Sequence, residues 1–207
     1  MQTELLDGSP NNRILIVDDN AAIHEDFRKI LNPKKLASSA AVDALAQSLF
    51  EEAGPKLDVE DLNFELSHAM QGQEALAKVK QALAESHPYA VAFVDVRMPP
   101  GWNGVETVEK FWALDSEIEI VLCTAYSDFT WEEIRQRLRH PDRLLILRKP
   151  FDAIEVLQLA YCLTKKWFLR RQASCRMQDL EIMVEERMKE LEKARLSLKQ
   201  ATRQQGR

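Results

Sequence analysis

The sequence holds few of the residues that build disulfides, zinc clusters or nucleotide-binding loops. Its 207 residues include three cysteines, and the spacing of Cys123, Cys162 and Cys175 is not that of a metal site. Cys123 lies in an apolar run and is interpreted as a small core residue. The histidines are scattered as well, without a close metal-ligand pair, at His24, His68, His87 and His140. Because a nucleotide-binding glycine loop is also missing, we expect no kinase activity in this chain.

Long apolar runs and an excess of positive charge are missing too. No apolar run approaches the length of a membrane span. The 28 Lys and Arg against 33 Asp and Glu leave no strongly basic surface for nucleic acid. The opening residues, MQTELLDGSPNNR, lack the charged start and apolar stretch of a secretory signal. These absences favour a soluble, cytoplasmic protein that binds neither membrane nor nucleic acid directly.

What the chain does contain is an alternation of short apolar runs with helical patterns. We predict five strands, over residues 13–17, 64–69, 89–95, 118–123 and 144–148. Helices are predicted over residues 21–31, 73–85, 105–114 and 130–139, and from Asp152 onward. Strands that alternate with helices predict a doubly wound α/β fold with a parallel sheet and right-handed crossovers.

Three segments lie outside this alternation. Residues 1–12 are predicted to be a flexible N-terminus. Residues 33–62 are interpreted as an insertion with one helix over 37–53, packed on the domain edge as a surface elaboration. We therefore expect a folded domain over residues 13–165, and over residues 166–207 a coiled-coil dimerisation or linker part of the C-terminal helix.

The C-terminal segment has the pattern of a coiled coil. No Pro or Gly occurs between Asp152 and Thr202, and one helix over this range would be about 75 Å long at ~1.5 Å per residue. One apolar stripe repeats at heptad spacing, at Met177, Val184, Leu191 and Leu198. A second stripe, interrupted by Arg187, comprises Ala173, Leu180, Ala194 and Ala201. Because such a stripe needs a partner, we expect a homodimer through this helix.

Polar side chains stand where four of the predicted strands end. Asp18 and Asp19 follow the first strand, and Asp95 closes the third. Thr124 follows the fourth strand and Lys149 the fifth. Since the carboxyl ends of parallel strands share one edge, these groups should meet in a crevice suited to a metal ion and a phosphoryl group. Taken singly, the acids could instead cap helices, and Lys149 could be a solvated charge.

These residues sit in motifs that resemble the receiver domain of two-component response regulators. The motifs are Val17-Asp18-Asp19, Val94-Asp95-Val96-Arg97-Met98-Pro99, Thr124-Ala125 and Lys149-Pro150-Phe151, in family order. The resemblance extends from about Arg13 to Lys165 and implies a flavodoxin-like, five-stranded parallel sheet of strand order 2-1-3-4-5. It also implies a phosphoprotein of a phosphorelay that catalyses only its own phosphorylation and dephosphorylation, and is not an enzyme otherwise.

By this resemblance, Asp95 is the phosphoacceptor and Mg²⁺ is the cofactor. Asp19 and Asp95 would ligate the ion directly, Asp18 through water, and Arg97 through its backbone carbonyl. Three neighbouring carboxylates repel one another, and a divalent cation offsets that cost. His24, on the first predicted helix beside these acids, is expected to have a structural or solvent role.

The resemblance also assigns phosphate-binding and switch positions, to Thr124, Ala125, Lys149 and Pro150. Lys149 would pair with phosphate oxygens as a point charge. The hydroxyl of Thr124 would donate to another oxygen and move inward when phosphate arrives. The Lys149–Pro150 peptide bond is expected to be cis, which only X–Pro bonds adopt readily.

The sequence departs from the family pattern beyond the insertion. The loop after Asp95 is long and includes Pro100-Gly101-Trp102, which is either a lid, a partner surface or packing on the sheet edge. The position three before Lys149 often holds a switching Tyr or Phe, but here it is Ile146. Three aromatic residues could take that role instead: Tyr126, Phe129 and Trp131. Arg97, two residues after Asp95, is predicted to tune dephosphorylation.

The expected phosphodonor is a sensor histidine kinase or a phosphotransfer protein. No helix-turn-helix follows the α/β domain, so two outputs stay open. The helix could relay the state to an effector absent from this chain, such as a cyclic-di-GMP enzyme or a histidine kinase, or the chain could be a dimeric interaction adaptor. A phosphatase of the haloacid dehalogenase type also uses an Asp nucleophile, but it normally has a second Asp where this chain has Arg97.

Overall fold

The computed structural model describes residues 11–32, 63–125, 137–138 and 140–205 of the chain. The expectations for residues 1–10, for the insertion at 33–62 and for most of the helix over 130–139 lie outside these residues. The chain divides into two compact units, one ending at Phe168 and the other containing Leu169–Arg207.

A five-stranded parallel sheet forms the centre of the first unit. Its strands are β1 (Arg13–Val17), β2 (Glu65–Ala69), β3 (Val91–Asp95), β4 (Glu119–Thr124) and β5 (Leu144–Arg148). They lie in the order β2-β1-β3-β4-β5, which confirms the predicted fold class and strand order. Strand β4 reaches one residue further than predicted, because Thr124 still pairs with Arg148 of β5.

Helices connect the strands and follow the last one. The described helices are α1 (Ala21–Leu31), α2 (Gly72–Ala84), α3 (Gly104–Leu114) and α4 (Ala153–Gln205), with a short 3₁₀ turn over Pro141–Arg143. Three of these helices are capped at their start by a side-chain oxygen that accepts a hydrogen bond from an N–H group of the first turn. The capping residues are Asn20, Asn103 and Asp152.

Alternate strand residues pack on opposite faces of the sheet. One face packs against α2 and α3, through residues that include Leu15, Val17, Val94, Ile120 and Leu122. The other face packs against α1 and the first turns of α4, through residues that include Ile14, Ile16, Phe93, Val121 and Cys123. Cys123 is buried, as predicted. Because both faces are covered, the central strands are apolar almost throughout.

In the second unit, α4 has exposed apolar side chains. Among them are Met177, Leu180, Ile182, Met183, Val184, Met188 and Leu191. Met177, Val184 and Leu191 belong to the heptad stripe. Arg187, which interrupts the second stripe, pairs with Glu190 of the same helix, with Nη1 and Oε2 2.8 Å apart. No described helix combines enough length with enough apolar sequence to span a bilayer.

Candidate functional site

The ends of β1 and β3 bring three carboxylates together. The two strands are neighbours, and Val17 of β1 pairs with Val94 of β3, so the acids that follow share one edge. Carboxylate oxygens of Asp18, Asp19 and Asp95 all lie within 4.8 Å of one another. Asp18 and Asp95 are buried, with 3% and 8% of their surface exposed, and Asp19 is more accessible. The three acids predicted to meet do so.

Lys149 reaches this cluster from the end of β5. Its Nζ lies 2.6 Å from Oδ2 of Asp18 and 2.8 Å from Oδ1 of Asp95. Its backbone N–H donates to the carbonyl oxygen of Thr124 at 2.8 Å, which ties the end of β5 to β4. The Lys149–Pro150 peptide bond is cis, as the family resemblance implies. One ammonium therefore lies between two buried carboxylates.

Burial and charge act in opposite directions on this cluster. Burial raises the pKa of the Asp95 carboxyl, and the hydrogen bond and charge of Lys149, with a hydrogen bond from the Arg97 backbone, only partly oppose the rise. Burial also disfavours the charge on Lys149, but its hydrogen bonds to Asp18 and Asp95 outweigh this and raise its pKa. The ammonium is thus charged at neutral pH, and a single positive charge faces three acids.

Two histidines that are 44 positions apart meet beside this site. The Nδ1 atoms of His24, on α1, and His68, on β2, are 3.0 Å apart, and His24 Nε2 lies 2.8 Å from the carbonyl oxygen of Asp18. This contact between two rings was not predicted from the sequence, in which the histidines have no metal-ligand spacing. Strand β2 pairs with β1 so that His68 lies opposite Ile16, next to the helix that follows β1. Sequence spacing carries no signal of this contact, because it depends on strand order and register.

Solved structures match this chain, whereas no protein-family model and no curated protein does. An adenylate cyclase structure from Rhodopirellula baltica is 21% identical, with 81% of this chain and 98% of that chain covered and a TM-score of 0.56. A two-component transcriptional regulator AraC from Clostridium phytofermentans ISDg is 24% identical, with 78% and 98% covered and a TM-score of 0.52. A response regulator receiver protein from Sinorhizobium medicae WSM419 is 19% identical, with 75% and 95% covered and a TM-score of 0.50.

This chain has the receiver-domain fold. The strand order and the nearly full coverage of a receiver structure decide this. At these sequence identities the likeness concerns the fold, so the roles of individual receiver residues rest on the geometry of their side chains.

In this receiver fold, the loop after β3 returns closely to the strand end. The N–H of Gly104 donates to the carbonyl oxygen of Val96 at 2.9 Å. A Cβ atom at position 104 would clash with the carbonyl oxygen of Asp95. Two residues before Gly104, the Trp102 ring contacts α3 through Lys110, whose Nζ is 4.5 Å from the ring centroid. The three alternatives for this loop, a lid, a partner surface or packing on the sheet edge, stay predictions.

The structure describes several of the other predicted site residues, among them Thr124, Ile146 and Arg97. The hydroxyl of Thr124 donates to the carbonyl oxygen of Ala125 at 2.9 Å. The side chain of Ile146 is half-buried and packs on the face of the sheet that α2 and α3 cover. The side chain of Arg97 is exposed. The three alternative aromatic residues lie outside the described ranges, at Tyr126, Phe129 and Trp131.

Proposed function

We propose that this chain is a response-regulator receiver in which Asp95 accepts a phosphoryl group from a histidine kinase or phosphotransfer protein, in a Mg²⁺-dependent reaction. The observation that carries the proposal is the ammonium of Lys149, 2.6 and 2.8 Å from carboxylate oxygens of Asp18 and Asp95. Phosphoryl transfer depends mainly on positioning and on charge stabilisation, and this cluster supplies both. The chain would catalyse only its own phosphorylation and dephosphorylation.

The donor set suits Mg²⁺. Three carboxylates whose oxygens lie within 4.8 Å offer the hard oxygen ligands that this ion prefers. We assign direct ligation to Asp19 and Asp95, ligation through water to Asp18, and a backbone carbonyl ligand to Arg97. The ion, when bound, supplies positive charge for the carboxylates and the transferring oxygens.

Asp95 supplies the nucleophile. One of its carboxylate oxygens forms a bond to phosphorus while the bond from phosphorus to the donor histidine nitrogen breaks, and that electron pair stays on the imidazole. The product is an acyl phosphate on Asp95. Water later attacks phosphorus, releases inorganic phosphate and restores the carboxylate. Arg97, with an exposed side chain two residues away, is assigned to tune this hydrolysis.

Lys149 and Thr124 are assigned to the phosphoryl oxygens. Lys149 exchanges its contact with Asp95 for a phosphoryl oxygen and keeps its contact with Asp18. The hydroxyl of Thr124 turns from the carbonyl of Ala125 toward a second oxygen. Ala125 and Pro150 complete this phosphate-binding edge. Ile146 stands where the family often has an aromatic switch residue, and it has no aromatic ring.

The C-terminal helix is the proposed output. Exposed apolar side chains at heptad spacing, at Met177, Val184 and Leu191, support pairing with the same helix of a second copy. Phosphorylation would shift this pairing, and the change in pairing would be transmitted to an effector domain downstream. The alternative, a dimeric adaptor that acts by binding partners, uses the same helix without a downstream domain.

The direct test is phosphorylation by a small phosphodonor such as acetyl phosphate with Mg²⁺, measured by intact mass. We expect the chain to gain one phosphoryl group and Asp95→Asn to gain none. The reason is that the amide lacks the negatively charged oxygen that acts as the nucleophile. Asp26→Asn is the matched control, since Asp26 is an exposed acid of α1. Equal labelling of the wild-type chain and Asp95→Asn would rule out Asp95 as the acceptor.

A further inference from the structure

A chain of hydrogen bonds runs from the exposed side of α1 to the backbone of the acidic site. Nε of Arg28 donates to Nε2 of His68 at 3.2 Å. Nδ1 of His68 lies 3.0 Å from Nδ1 of His24, and Nε2 of His24 lies 2.8 Å from the carbonyl oxygen of Asp18. His24 is buried, with 4% of its surface exposed, and the two rings meet edge to face with centroids 5.0 Å apart.

The partners at the two ends fix where each ring proton lies. A guanidinium nitrogen can only donate, so His68 Nε2 accepts from Arg28 and His68 Nδ1 carries the proton. A carbonyl can only accept, so His24 Nε2 carries the proton and His24 Nδ1 accepts from His68. Both ends thus demand the same arrangement of two neutral rings. Burial, and then the charge of Arg28, lower the pKa of His68 to about 4, which agrees with a neutral ring.

The acceptor at the inner end is the peptide that joins two of the acids. A peptide unit is planar, so the direction of the Asp18 carbonyl fixes the plane between the Cα atoms of Asp18 and Asp19. The neighbouring polar groups are also held: the Asp18 N–H donates to the carbonyl oxygen of Ala69 at 3.2 Å, and Asp18 Oδ1 accepts from the N–H of Asn20 at 2.9 Å. His24 adds the contact that orients the carbonyl itself.

We propose that His24 is a positioning residue for Mg²⁺ binding. Its Nε2–H holds the Asp18–Asp19 peptide in the orientation that presents both carboxylates, while His68 and Arg28 hold His24 in the tautomer that can donate. The inference rests on the proposed function, because it concerns the same magnesium site. Residues that orient metal ligands commonly change metal affinity by about 10–100-fold when they are lost.

Two substitutions of His24, similar in size, distinguish a positioning role of its ring from a packing role. The amide of His24→Gln reaches the place of the histidine Nε2 and can still donate to the Asp18 carbonyl. The amide of His24→Asn reaches only the place of Nδ1, so it can bond His68 but leaves the carbonyl without its donor. We expect calorimetric titration of the full chain with MgCl₂ to give near-wild-type affinity for His24→Gln and about tenfold weaker affinity for His24→Asn.

The outcomes distinguish this inference from the proposed function. Equal Mg²⁺ affinities in the wild-type chain and both variants would overturn the role of His24 while the magnesium site stands. Equal losses in both variants would also overturn it, since they would indicate packing alone. A wild-type chain that binds no Mg²⁺ would overturn the proposed function together with the inference.

The ring tautomers give a readout that needs no substitution. Long-range ¹H–¹⁵N spectra of the Mg²⁺-free chain at neutral pH should show the proton on Nε2 in His24 and on Nδ1 in His68. The reverse tautomer of His24 or a charged His24 ring would contradict the proposed chain of hydrogen bonds. Thermal unfolding of both variants without Mg²⁺ checks that each is folded in the titration.

Discussion

At the scale of the residue, Lys149 partly offsets the charge of two buried acids at once. Its ammonium contacts Asp18 and Asp95, and its own pKa rises because those hydrogen bonds outweigh burial. A charge placed in this way stabilises the fold only while its partners are ionised. The same residue therefore bears on stability, on pH dependence and on the chemistry of the site.

Lys149→Met is expected to destabilise the Mg²⁺-free chain by about 3 kcal/mol at pH 7, because it leaves two buried carboxylates without their counter-charge. The loss should shrink as the pH falls toward the ordinary carboxyl pKa of 3.8, since the variant raises the pKa of Asp95 further and protonation removes the repulsion. Urea unfolding at several pH values measures both effects. Lys29→Met, which removes an exposed lysine 3.9 Å from Asp26, should cost no more than about 0.5 kcal/mol. Equal losses of unfolding free energy in Lys149→Met and Lys29→Met would contradict the role of Lys149 as counter-charge to the two buried acids.

His68 adds a second pH dependence of known sign. Burial, Arg28 and His24 lower the pKa of its ring from 6.5 to about 4 in the folded chain. The unfolded chain therefore binds more protons between these values, and stability should be fully present above pH 6.5 and fall as the pH decreases toward 4. After allowance for partial exposure, the loss is about 1 kcal/mol. The difference between the wild-type chain and His68→Gln in urea unfolding isolates this contribution, and identical pH slopes would contradict it.

At the scale of the element, four of the five strands were predictable because each is a short apolar run with a polar group at or just after its end. The alternation of Leu15 and Val17 with Ile14 and Ile16 on opposite faces follows from the strand period alone. The ends of β1 and β3 were predicted to the residue, and with them the positions of Asp18 and Asp95. Strand ends are visible in sequence because the change from apolar to polar residues is local.

The contact between His24 and His68 was not predictable in this way. It arises because β2 returns beside β1 in a register that sets Ile16 opposite His68. Register and strand order are properties of the assembled sheet, and no local pattern encodes them. The contact between Lys149 and Asp18, 131 positions apart, was predictable, because both residues follow parallel strands whose carboxyl ends share one edge of the sheet.

The return of the loop after β3 gives a prediction for the junction between strand and helix. Gly104→Ala should cost about 2 kcal/mol, since the new Cβ meets rigid backbone at Asp95. It should also slow phosphorylation, because the displaced backbone belongs to Asp95, the proposed phosphoacceptor. Gly101→Ala is the matched control, because its Cβ meets only the ends of the Gln71 and Gln73 side chains. Thermal unfolding and labelling by acetyl phosphate measure the pair, and equal effects would show that the close approach is unimportant.

At the scale of the whole molecule, the C-terminal helix is the element through which we propose that two copies pair. Arg187 stands at a second-stripe position and pairs with Glu190 of its own helix. If the helix pairs through its stripes, Arg187→Leu should tighten the dimer about tenfold or more, because it removes a charge from the seam. Sedimentation equilibrium with and without a beryllium fluoride phosphoryl mimic measures this.

The control for that experiment adds leucine beside the stripes. Glu186→Leu lies next to Arg187 but belongs to neither stripe, so its dimer should resemble that of the wild-type chain. Equal tightening by both substitutions would indicate non-specific association through exposed leucine. A monomer in every case would leave the adaptor and relay proposals without their dimer.

The ammonium of Lys149 acts as a counterion for the two acids that it contacts. With Lys149 in place, the carboxylates already hold a resident counterion that is tethered to the chain and cannot diffuse away. An external cation that binds Asp95 therefore competes with this ammonium, whose single charge offsets only part of the charge of the three acids. The displaced ammonium stays within the crevice, available to the next anion that enters. Binding of a cation to the acids would therefore free the ammonium to bind an anion.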